Sequence, residues 1–549
     1  MASLFVTLSN LILLFLQKRF AMIFRSYSQK DTSILKGFAI LCICLHNFFH
    51  HLLPTTGENE FSFSINRINN FFDQLATTPE EFIRIIFSYL GHYGVQIFIF
   101  ISGFGLTLSM LKHNKSWLNF MIDRLKKLYP LLLTGIVFFI LSTILMYDRM
   151  PWKVHLQELN YKLLFIHTLI PNQGLSVNGP WWFFGLIFQL YLIFPLLFHF
   201  IKKYNLKAFI VICIFSYTWI YISQYQFNNI YGISFLQNAP GHLPEFCLGM
   251  LLAFNKDLKI NNISFFIALT VFCLGNFYKL FFPFTFLTIT IIIIFAYQFF
   301  KNIPIKKTLT KRFLIHFGNI SLTLFAIHGF LRQPFLALAN NTLNTPLGQI
   351  FAAFLFMATS YLMSYAGLHL YELLSSIFNK IKLPKDNKIT RTISRILQIA
   401  LVIFSIYIVY YYVSLNNFKN AKQIVKQEHI SENFIVEKES VYSTFTRIKF
   451  NKKHKSLKIE GSMDIKNLDP NTVIPPIVIE INGLLWDKIE INQDFNDDFN
   501  DDFNKFNFKY NYRPNFINSL RNKTIKLYFW NTSKSNIEVK NVNISILTN

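Results

Sequence analysis

Several apolar segments of this sequence carry polar or ionisable side chains that a helix facing lipid would not tolerate. A polar group inside a membrane is costly and usually marks a functional path. Histidine matters most among them, because a neutral imidazole accepts a proton near pH 7. Such residues predict an enzyme or a transporter rather than a membrane anchor. They are His46, Asn47, His50, Gln96, Ser102, Gln189, Glu245 and His328.

Two of these histidines have a spacing that is also found in metal sites. His46 and His50 are four residues apart, which is about one helical turn. The pair alone is a weak zinc signal without a third ligand or an adjacent glutamate, so we expect no metal. Glu58 and Glu60 follow in a polar stretch. They either orient a histidine and bind hydroxyl groups, or belong to a solvated loop.

The composition indicates a membrane protein. Of 549 residues, 52% are hydrophobic and only 15% are charged, and the mean hydropathy is +0.34. Soluble domains carry roughly 25% charged residues. The formal net charge is +24. We attribute it to lysine and arginine in cytoplasmic loops and expect no nucleic-acid partner.

Apolar segments of helical length must position the polar residues, and the lipid bilayer is therefore an expected partner. Each is near the ~20 residues that cross a bilayer. The predicted domains are an N-terminal interfacial segment at 1–33, a helical membrane domain at 34–378, and an eleventh span with its linkers at 379–440. Met22 is an alternative start to Met1. The predicted spans are 34–53, 83–108, 129–147, 181–201, 207–223, 239–254, 262–280, 282–300, 315–337, 347–378 and 394–415.

Charge in the loops predicts the orientation. Loops 109–128, 301–314 and 379–393 are rich in lysine and arginine, whereas 54–80 and 224–238 are poor in them. Because basic loops stay in the cytoplasm, the N-terminus is predicted inside and the C-terminal tail outside. The same topology puts His46 and His328 in the outer halves of their spans and the basic cluster around Arg124 on the cytoplasmic side.

The tail changes to a pattern of alternating apolar and polar residues. Runs such as Ile477-Val-Ile-Glu-Ile481 predict strands, so residues 441–549 are predicted to form an extracytoplasmic all-β domain resembling a sandwich. All five cysteines lie in apolar segments, so no disulfide framework supports this domain. The acidic repeat at 494–501 predicts a hairpin loop, with calcium binding as an alternative. We expect a non-catalytic domain, because the tail contains only two histidines, His429 and His454, and no evident Ser/Asp/His grouping.

Short motifs in chain order resemble the acyltransferase-3 family of integral membrane enzymes that O-acylate envelope glycans. One such motif is weak evidence, but six in order over residues 31–378 are specific. The motifs are Lys36-Gly-Phe-Ala-Ile40 with His46, Gly94 to Ser102-Gly-Phe104, Arg124-Leu-Lys-Lys-Leu-Tyr-Pro130, Gly179-Pro-Trp-Trp-Phe-Phe184 with Gln189-Leu-Tyr191, Leu243-Pro-Glu-Phe-Cys-Leu-Gly249, and Gly318-Asn-Ile-Ser321 with His328-Gly329.

The chain departs from the family pattern in two places. Many members separate the basic residue and the histidine by one position more than Lys36 and His46, and Asn47 stands there instead. A step of ten residues is ~15 Å along a helix and places His46 about 80° around the axis from Lys36. His50 lies nearer the Lys36 face, so it is an alternative reacting histidine. Many members also have a glutamate near Ile187.

The resemblance implies roles in acyl transfer from a thioester, which needs a base and a positioned donor. His46 would be the base or a transient acyl carrier, with His328 and Glu245 as further catalytic elements; the alternative is structural hydrogen bonding. Basic side chains would bind the phosphate groups of the donor, acetyl-CoA. The alternative is that these side chains only keep their loop on the cytoplasmic side. The donor residues so assigned are Lys36, Ser102, Arg124 and Lys127.

The acceptor would be a saccharide of the cell envelope. Tryptophans stack on sugars, although an aromatic belt at the interface explains them as well. The acceptor residues so assigned are Asn47, His50, Glu58, Trp181, Trp182, Gln189 and Tyr191. The expected protein is thus a multi-pass O-acetyltransferase of a bacterial inner membrane. The alternative is a transporter or flippase of a glycan or lipid-linked substrate, which an internal repeat would favour; oligomeric state stays open.

Overall fold

The structure of the protein is a computed structural model. The chain divides into two units, residues 1–398 and 399–549. The described ranges are 21–23, 27–113, 115–147, 151–170, 172–226, 233–255, 259–302, 309–382, 384, 389–399, 423–430, 433–437, 439–440, 442–450, 457–468, 475–481, 485–489, 504–512, 523–531 and 536–548.

The first unit is helical. Its helices are α1 Gln29–Phe49, α2 Ile65–Thr77, α3 Phe82–Leu90, α4 Gly94–Lys112, α5 Trp117–Tyr147, α6 Pro151–Leu163, α7 Trp182–Tyr204, α8 Leu206–Gln226, α9 Ala239–Phe254, α10 Asn262–Phe277, α11 Thr285–Asn302, α12 Leu309–Leu331, α13 Gln333–Asn341 and α14 Pro346–Asn379. Residues 389–399 are also helical, and the rest of the predicted eleventh span lies outside the described residues.

Seven described segments are long and apolar enough to cross a bilayer. The shorter apolar helices α8 and α10 lie where two further spans were predicted, and the 16-residue α9 matches the predicted span 239–254. Leucines such as Leu309 and Leu347 are at least 80% exposed, as lipid-facing side chains would be. The helices therefore support a multi-pass membrane protein without fixing the predicted number of eleven spans.

Two predicted spans are each divided in the structure. Segment 83–108 consists of α3 and α4 with a short 3₁₀ turn between them. Segment 315–337 divides between α12 and α13, because Pro334 lacks the N–H that a continuous helix needs and therefore occupies the first turn of a new one. Helices α2 and α6 lie in segments where no element was predicted.

The start of α1 is fixed by polar contacts. Ser28 and Asp31 form a capping box that satisfies backbone N–H groups at the helix start. Asp31 also accepts hydrogen bonds from Tyr297 at 2.6 Å and from Lys301 at 2.7 Å, which tie α1 to α11. In the interfacial segment predicted at 1–33, residues 1–20 lie outside the described residues. Ala21–Ile23 is a strand, β1, paired with β2 at Lys259–Asn261.

Glycines let two helix pairs approach backbone to backbone. A Cβ on Gly37 would lie 1.9 Å from the carbonyl oxygen of Leu314, and one on Gly318 would lie 1.9 Å from that of Ser33. The α4–α9 pair repeats this arrangement through Gly103 and Gly249, where an added Cβ would lie 2.1 Å from a backbone oxygen. These family-motif glycines therefore lock α1 to α12 and α4 to α9.

The second unit consists of β-strands over its described residues from 423 onward. The strands are β3 Gln423–Ile430, β4 Phe434–Val436, β5 Tyr442–Phe450, β6 Leu457–Asn467, β7 Ile477–Ile481, β8 Leu485–Ile489, β9 Asn504–Tyr512, β10 Lys523–Trp530 and β11 Ile537–Thr548. One antiparallel sheet has the order β5, β10, β7, β8, and another has the order β3, β11, β6, β9, with β4 paired to β11. Apolar side chains from both sheets form one core. The predicted acidic hairpin lies outside the described residues.

Candidate active site

Two cavities in the described part of the helical unit contain residues of the predicted site. The histidine cavity has a volume of about 590 Å³, and His46, His50 and Glu58 line it. The basic cavity has a volume of about 400 Å³, and Lys36 and Arg124 line it. One cavity therefore presents groups that exchange protons, and the other presents fixed positive charge.

The two cavities share part of their walls. Ile43 of α1, Val95 of α4 and Phe325 of α12 line both, and we call these three side chains the septum. The Phe325 ring packs edge-on against Phe183, with the ring centroids 5.2 Å apart. The two cavities are thus adjacent and share an apolar part of their walls.

The environment of His46 fixes the tautomer of its ring. His46 lies in the last turn of α1 and is 3% exposed. Its Nδ1–H donates to the carbonyl oxygens of Ser88 at 3.0 Å and Phe87 at 3.2 Å, at the end of α3. Because Nδ1 carries the proton, the lone pair is on Nε2. His46 therefore has one nitrogen held by the scaffold and one available as a base.

Gly91 permits this contact between α3 and α1. A Cβ at position 91 would lie 2.7 Å from Cβ of His46 and 2.8 Å from the carbonyl oxygen of Cys42. Gly91 has an ordinary helical backbone conformation, so its role is to leave space rather than to allow an unusual φ. Gly91, the residue directly after α3, therefore sets how closely the carbonyls of Phe87 and Ser88 approach His46.

Further titratable side chains surround His46 in the histidine cavity. The rings of His50 and His92 lie 4.5 Å and 5.4 Å from it, centroid to centroid. Nδ1 of His50 is 3.3 Å from Oε1 of Glu58. Neither ring nitrogen of the buried His92 has a hydrogen-bond partner within the described residues. Burial, together with the charge of Glu58, raises the pKa of Glu60 well above its ordinary value.

The segment that carries Glu58 is fixed by a buried network. Arg84 of α3 donates to the carbonyl oxygen of Pro54 at 2.6 Å and pairs with Glu81. Asn59 donates to the hydroxyl of Tyr89 at 3.3 Å. The backbone on both sides of Glu58 is thus attached to α3, the helix that also holds His46. The structure thus places Glu58 beside His50, and its role in orienting a histidine stays a prediction.

The basic cavity brings together the four residues that were predicted to bind the donor. Lys36 comes from α1, Ser102 from α4, and Arg124 and Lys127 from α5. Arg124 and Lys127 are three residues apart, so they share one helix face. The arginine lies over the ring of Phe120, with Cζ 5.5 Å from the ring centroid. Such a group of cations on a fixed wall suits the phosphates of an anionic ligand.

Of the residues predicted to bind the acceptor, some line a cavity and others lie between helices. Asn47 and Trp182 line the histidine cavity with His50 and Glu58. Tyr191 lines the basic cavity instead, on the side of the predicted donor. Trp181 is fully buried and donates from Nε1 to the carbonyl oxygen of Ala326 at 2.8 Å. This contact ties helices together, and it leaves Trp181 neither a sugar platform nor part of an interfacial belt.

Gln189 also serves a helix interface in the structure. Its Nε2 donates to Oδ1 of Asn238 at 2.7 Å, and its Oε1 accepts from the backbone N–H of Ala239 at 2.9 Å. The side chain thus satisfies the start of α9, where backbone N–H groups have no partner within the helix. Gln189 lines neither cavity described here.

Glu245 and His328, predicted as catalytic, line neither cavity. Glu245 is fully buried and its Oε1 lies 2.7 Å from Nδ1 of His242. Nε2 of His242 lies 2.8 Å from the carbonyl oxygen of Leu236, and the ring stacks on Trp182 at 5.7 Å. Glu245 therefore contacts the cavity only through a chain of side chains. Nδ1 of His328 bonds within its own helix.

Some cavity residues were not assigned by sequence reasoning. Asn178 lines the histidine cavity, and its Oδ1 would lie 2.3 Å from a Cβ on Gly329. Gly329 follows His328 in a family motif, and its lack of a side chain makes room for the loop that carries Asn178. Asn178 directly precedes the Gly179-Pro180 motif, and this was the available signal. His51 also lines the cavity, beside a histidine that was assigned.

Comparison with known proteins identifies the family. The acyltransferase-3 model, described as an acyltransferase domain, matches residues 32–365, which include most of α1, the lining of the histidine cavity, the septum and the four predicted donor residues. No curated protein and no solved structure matches the chain. The matched range is more than half of the 549 residues. This chain belongs to the acyltransferase-3 family and is a membrane acyltransferase.

Proposed function

We propose that this protein transfers an acyl group, namely acetyl, from cytoplasmic acetyl-CoA to a hydroxyl group of a cell-envelope saccharide. The observation that carries the proposal is the pair of cavities with a common septum. The residues predicted to bind the donor line one cavity, and the predicted base His46 lines the other. The predicted topology, with Arg124 inside and His46 outside, supports a donor from the cytoplasm and an acceptor from outside.

In the proposed donor step, Arg124, Lys127 and Lys36 bind the phosphates of the coenzyme. Each charged hydrogen bond of this kind contributes roughly 1.5–3 kcal/mol. The pantetheine arm then lies along the wall that contains Ser102, and the thioester reaches the septum. The acetyl thioester itself offers few groups for the protein to bind. Binding of the distant phosphates therefore positions its carbonyl for reaction.

In the proposed transfer step, Nε2 of His46 removes the proton of the acceptor hydroxyl. The hydroxyl oxygen attacks the thioester carbonyl carbon, and the tetrahedral intermediate collapses as the C–S bond breaks with its electron pair on sulfur. His46 then gives the proton to the thiolate, which releases free coenzyme A. The backbone carbonyls of Phe87 and Ser88 hold Nδ1–H throughout and stabilise the imidazolium.

The test uses membranes that carry the full chain, radiolabelled acetyl-CoA and envelope glycan. We expect label that mild base releases from the glycan, and a loss of about 10²- to 10⁴-fold in His46→Ala. His113→Gln is the matched control, since His113 is exposed and lines neither cavity. Equal transfer by His46→Ala would remove His46 as the base. Glycan movement across the membrane without label would instead support the transporter.

A further inference from the structure

One cluster in the histidine cavity has the composition of a metal site. Among the described residues, His46, His50 and Glu58 offer ligand atoms that all lie within 4.8 Å of one another. The sequence contained the histidine pair but no third ligand close to it. The fold supplies the third ligand, because the segment after α1 returns and places Glu58 3.3 Å from His50.

The distances suit a tetrahedral ion after a small adjustment. Zinc ligands about 2.0–2.1 Å from the ion stand roughly 3.4 Å apart in a tetrahedron. The pair of Glu58 and His50 already has this separation. His46 needs to approach by about 1.4 Å at most if its distance is the 4.8 Å upper limit. The side chains of His50 and Glu58 are each 20% exposed, so both have room to rotate toward it.

The surroundings of His46 are those of a metal ligand. A ligating histidine usually donates its other N–H to a carboxylate or a backbone carbonyl. Nδ1 of His46 already makes this bond to Ser88 at 3.0 Å. Two histidines with one glutamate are also a ligand set of zinc sites that keep a fourth position open. Here all three residues line the histidine cavity, so an open position would be reached from that cavity.

The charged groups around this cluster have both signs. Glu60 lines the same cavity and adds a second carboxyl group. Arg332 is a positive charge in the lining, and its Nη1 donates to the carbonyl oxygen of Gly329 at 2.7 Å. The buried His92 ring lies beside His46, with the ring centroids 5.4 Å apart.

We propose that His46, His50 and Glu58 form a site for a divalent transition-metal ion of the zinc class, and that the bound ion inhibits acyl transfer. The second clause rests on the proposed function. The ion would take the Nε2 lone pair of His46, and that lone pair then cannot accept the hydroxyl proton. Metal and acceptor would therefore compete for the same nitrogen.

Binding is tested separately from activity with purified full-length protein that has been stripped with a chelator. Co²⁺ is the probe, because a tetrahedral site with nitrogen ligands gives visible ligand-field absorption. We expect one tight equivalent in the wild type and in the control His113→Gln. Loss of one ligand in Glu58→Gln or His50→Ala should weaken binding at least about 10- to 100-fold. Equal affinity in the wild type and both variants, or no tetrahedral spectrum, would overturn the site.

Inhibition is tested in the transfer assay with Zn²⁺ at the concentration that saturates the Co²⁺ site. We expect transfer to fall as the site fills and to return when a chelator is added. Full activity with a filled site would overturn the inhibitory role. Variant-sensitive Co²⁺ binding in a protein that transfers no acyl group under any condition would support the site and refute the proposed function. The two failures are thus distinguishable.

Discussion

Replacing Gly91 with alanine should impair catalysis by moving one backbone carbonyl away from His46. The added Cβ would be 2.7 Å from Cβ of His46 and 2.8 Å from the oxygen of Cys42, and ordinary contact begins at 3.4 Å. Helices α1 and α3 must therefore separate by about 0.6–0.7 Å at this point. The hydrogen bond from Nδ1 to Ser88, now 3.0 Å, would lengthen to about 3.7 Å, which is beyond hydrogen-bond range.

The kinetic effect should appear in kcat rather than in donor binding. A misplacement of about 1 Å at a catalytic group can cost around 100-fold in rate, so we expect kcat to fall about 10- to 100-fold. The KM for acetyl-CoA should stay close to that of the wild type, because Gly91 does not line the basic cavity. Overpacking costs about 1–3 kcal/mol, and alanine regains about 1 kcal/mol of helix propensity, so the fold should persist.

The assay is initial-rate kinetics of transfer at varied acetyl-CoA, together with thermal unfolding in detergent. Gly275→Ala is the matched control, since a Cβ there would lie 2.4 Å from Cγ2 of Thr285 in a helix that lines neither cavity. It should lower Tm without a selective loss of kcat. Wild-type kcat in a stably folded Gly91→Ala protein would refute the reasoning that this helix contact holds the base.

Three further predictions concern the basic cavity, the septum and a buried lysine. Arg124→Ala and Lys127→Ala should each raise the KM for acetyl-CoA about 10- to 100-fold, the equivalent of one charged hydrogen bond, with a smaller effect for the dephosphorylated donor acetyl-pantetheine. Phe325→Ala should increase acetyl-CoA hydrolysis in the absence of glycan, as free thiol would report, because water reaches the thioester. Burial lowers the pKa of Lys162 to about 7, while an unfolded lysine has a pKa of about 10.4. The unfolded chain binds more protons between these values, so this residue makes Tm fall from pH 10 toward pH 7, and Lys162→Met should flatten that slope.

The residues predicted to bind the donor lie close together in the structure. Lys36, Ser102, Arg124 and Lys127 come from three helices, yet each belongs to a motif with a recognisable order, and all four line one cavity. Their roles in binding remain predictions. The spacing of Lys36 and His46 raised the question of a shared helix face. The structure removes this requirement, since the two residues line different cavities.

Buried polar residues that stabilise helix contacts could not be separated from those of the site. Glu245 and Gln189 stand in motifs like the donor residues do, and both are polar groups in apolar segments. Their partners are His242 and the start of α9. A polar side chain in a membrane helix needs a partner in either case. Sequence alone does not show whether that partner is a substrate or another helix.

Local breaks and pairings were the least predictable part of the fold. The apolar run 83–108 has no proline, yet a 3₁₀ turn joins α3 to α4, and just before this turn the carbonyls of Phe87 and Ser88 accept from His46. In the β unit, strand β3 lies in the segment 379–440, which was predicted to contain a span and linkers. It is a strand because it pairs with β11, and its own sequence does not indicate this. Long-range pairing of this kind is invisible to a local pattern.

Helix α1 lines both cavities, so it must keep one rotation about its own axis. Asp31 bonds to α11 at the start of the helix, and Gly37 lets its backbone contact α12. Adding or deleting one residue between Lys36 and His46 would change the length of the helix by only about 1.5 Å, but it would turn one end by about 100° relative to the other. One of the two side chains would then leave its cavity. This segment should accept substitutions far more readily than changes of length.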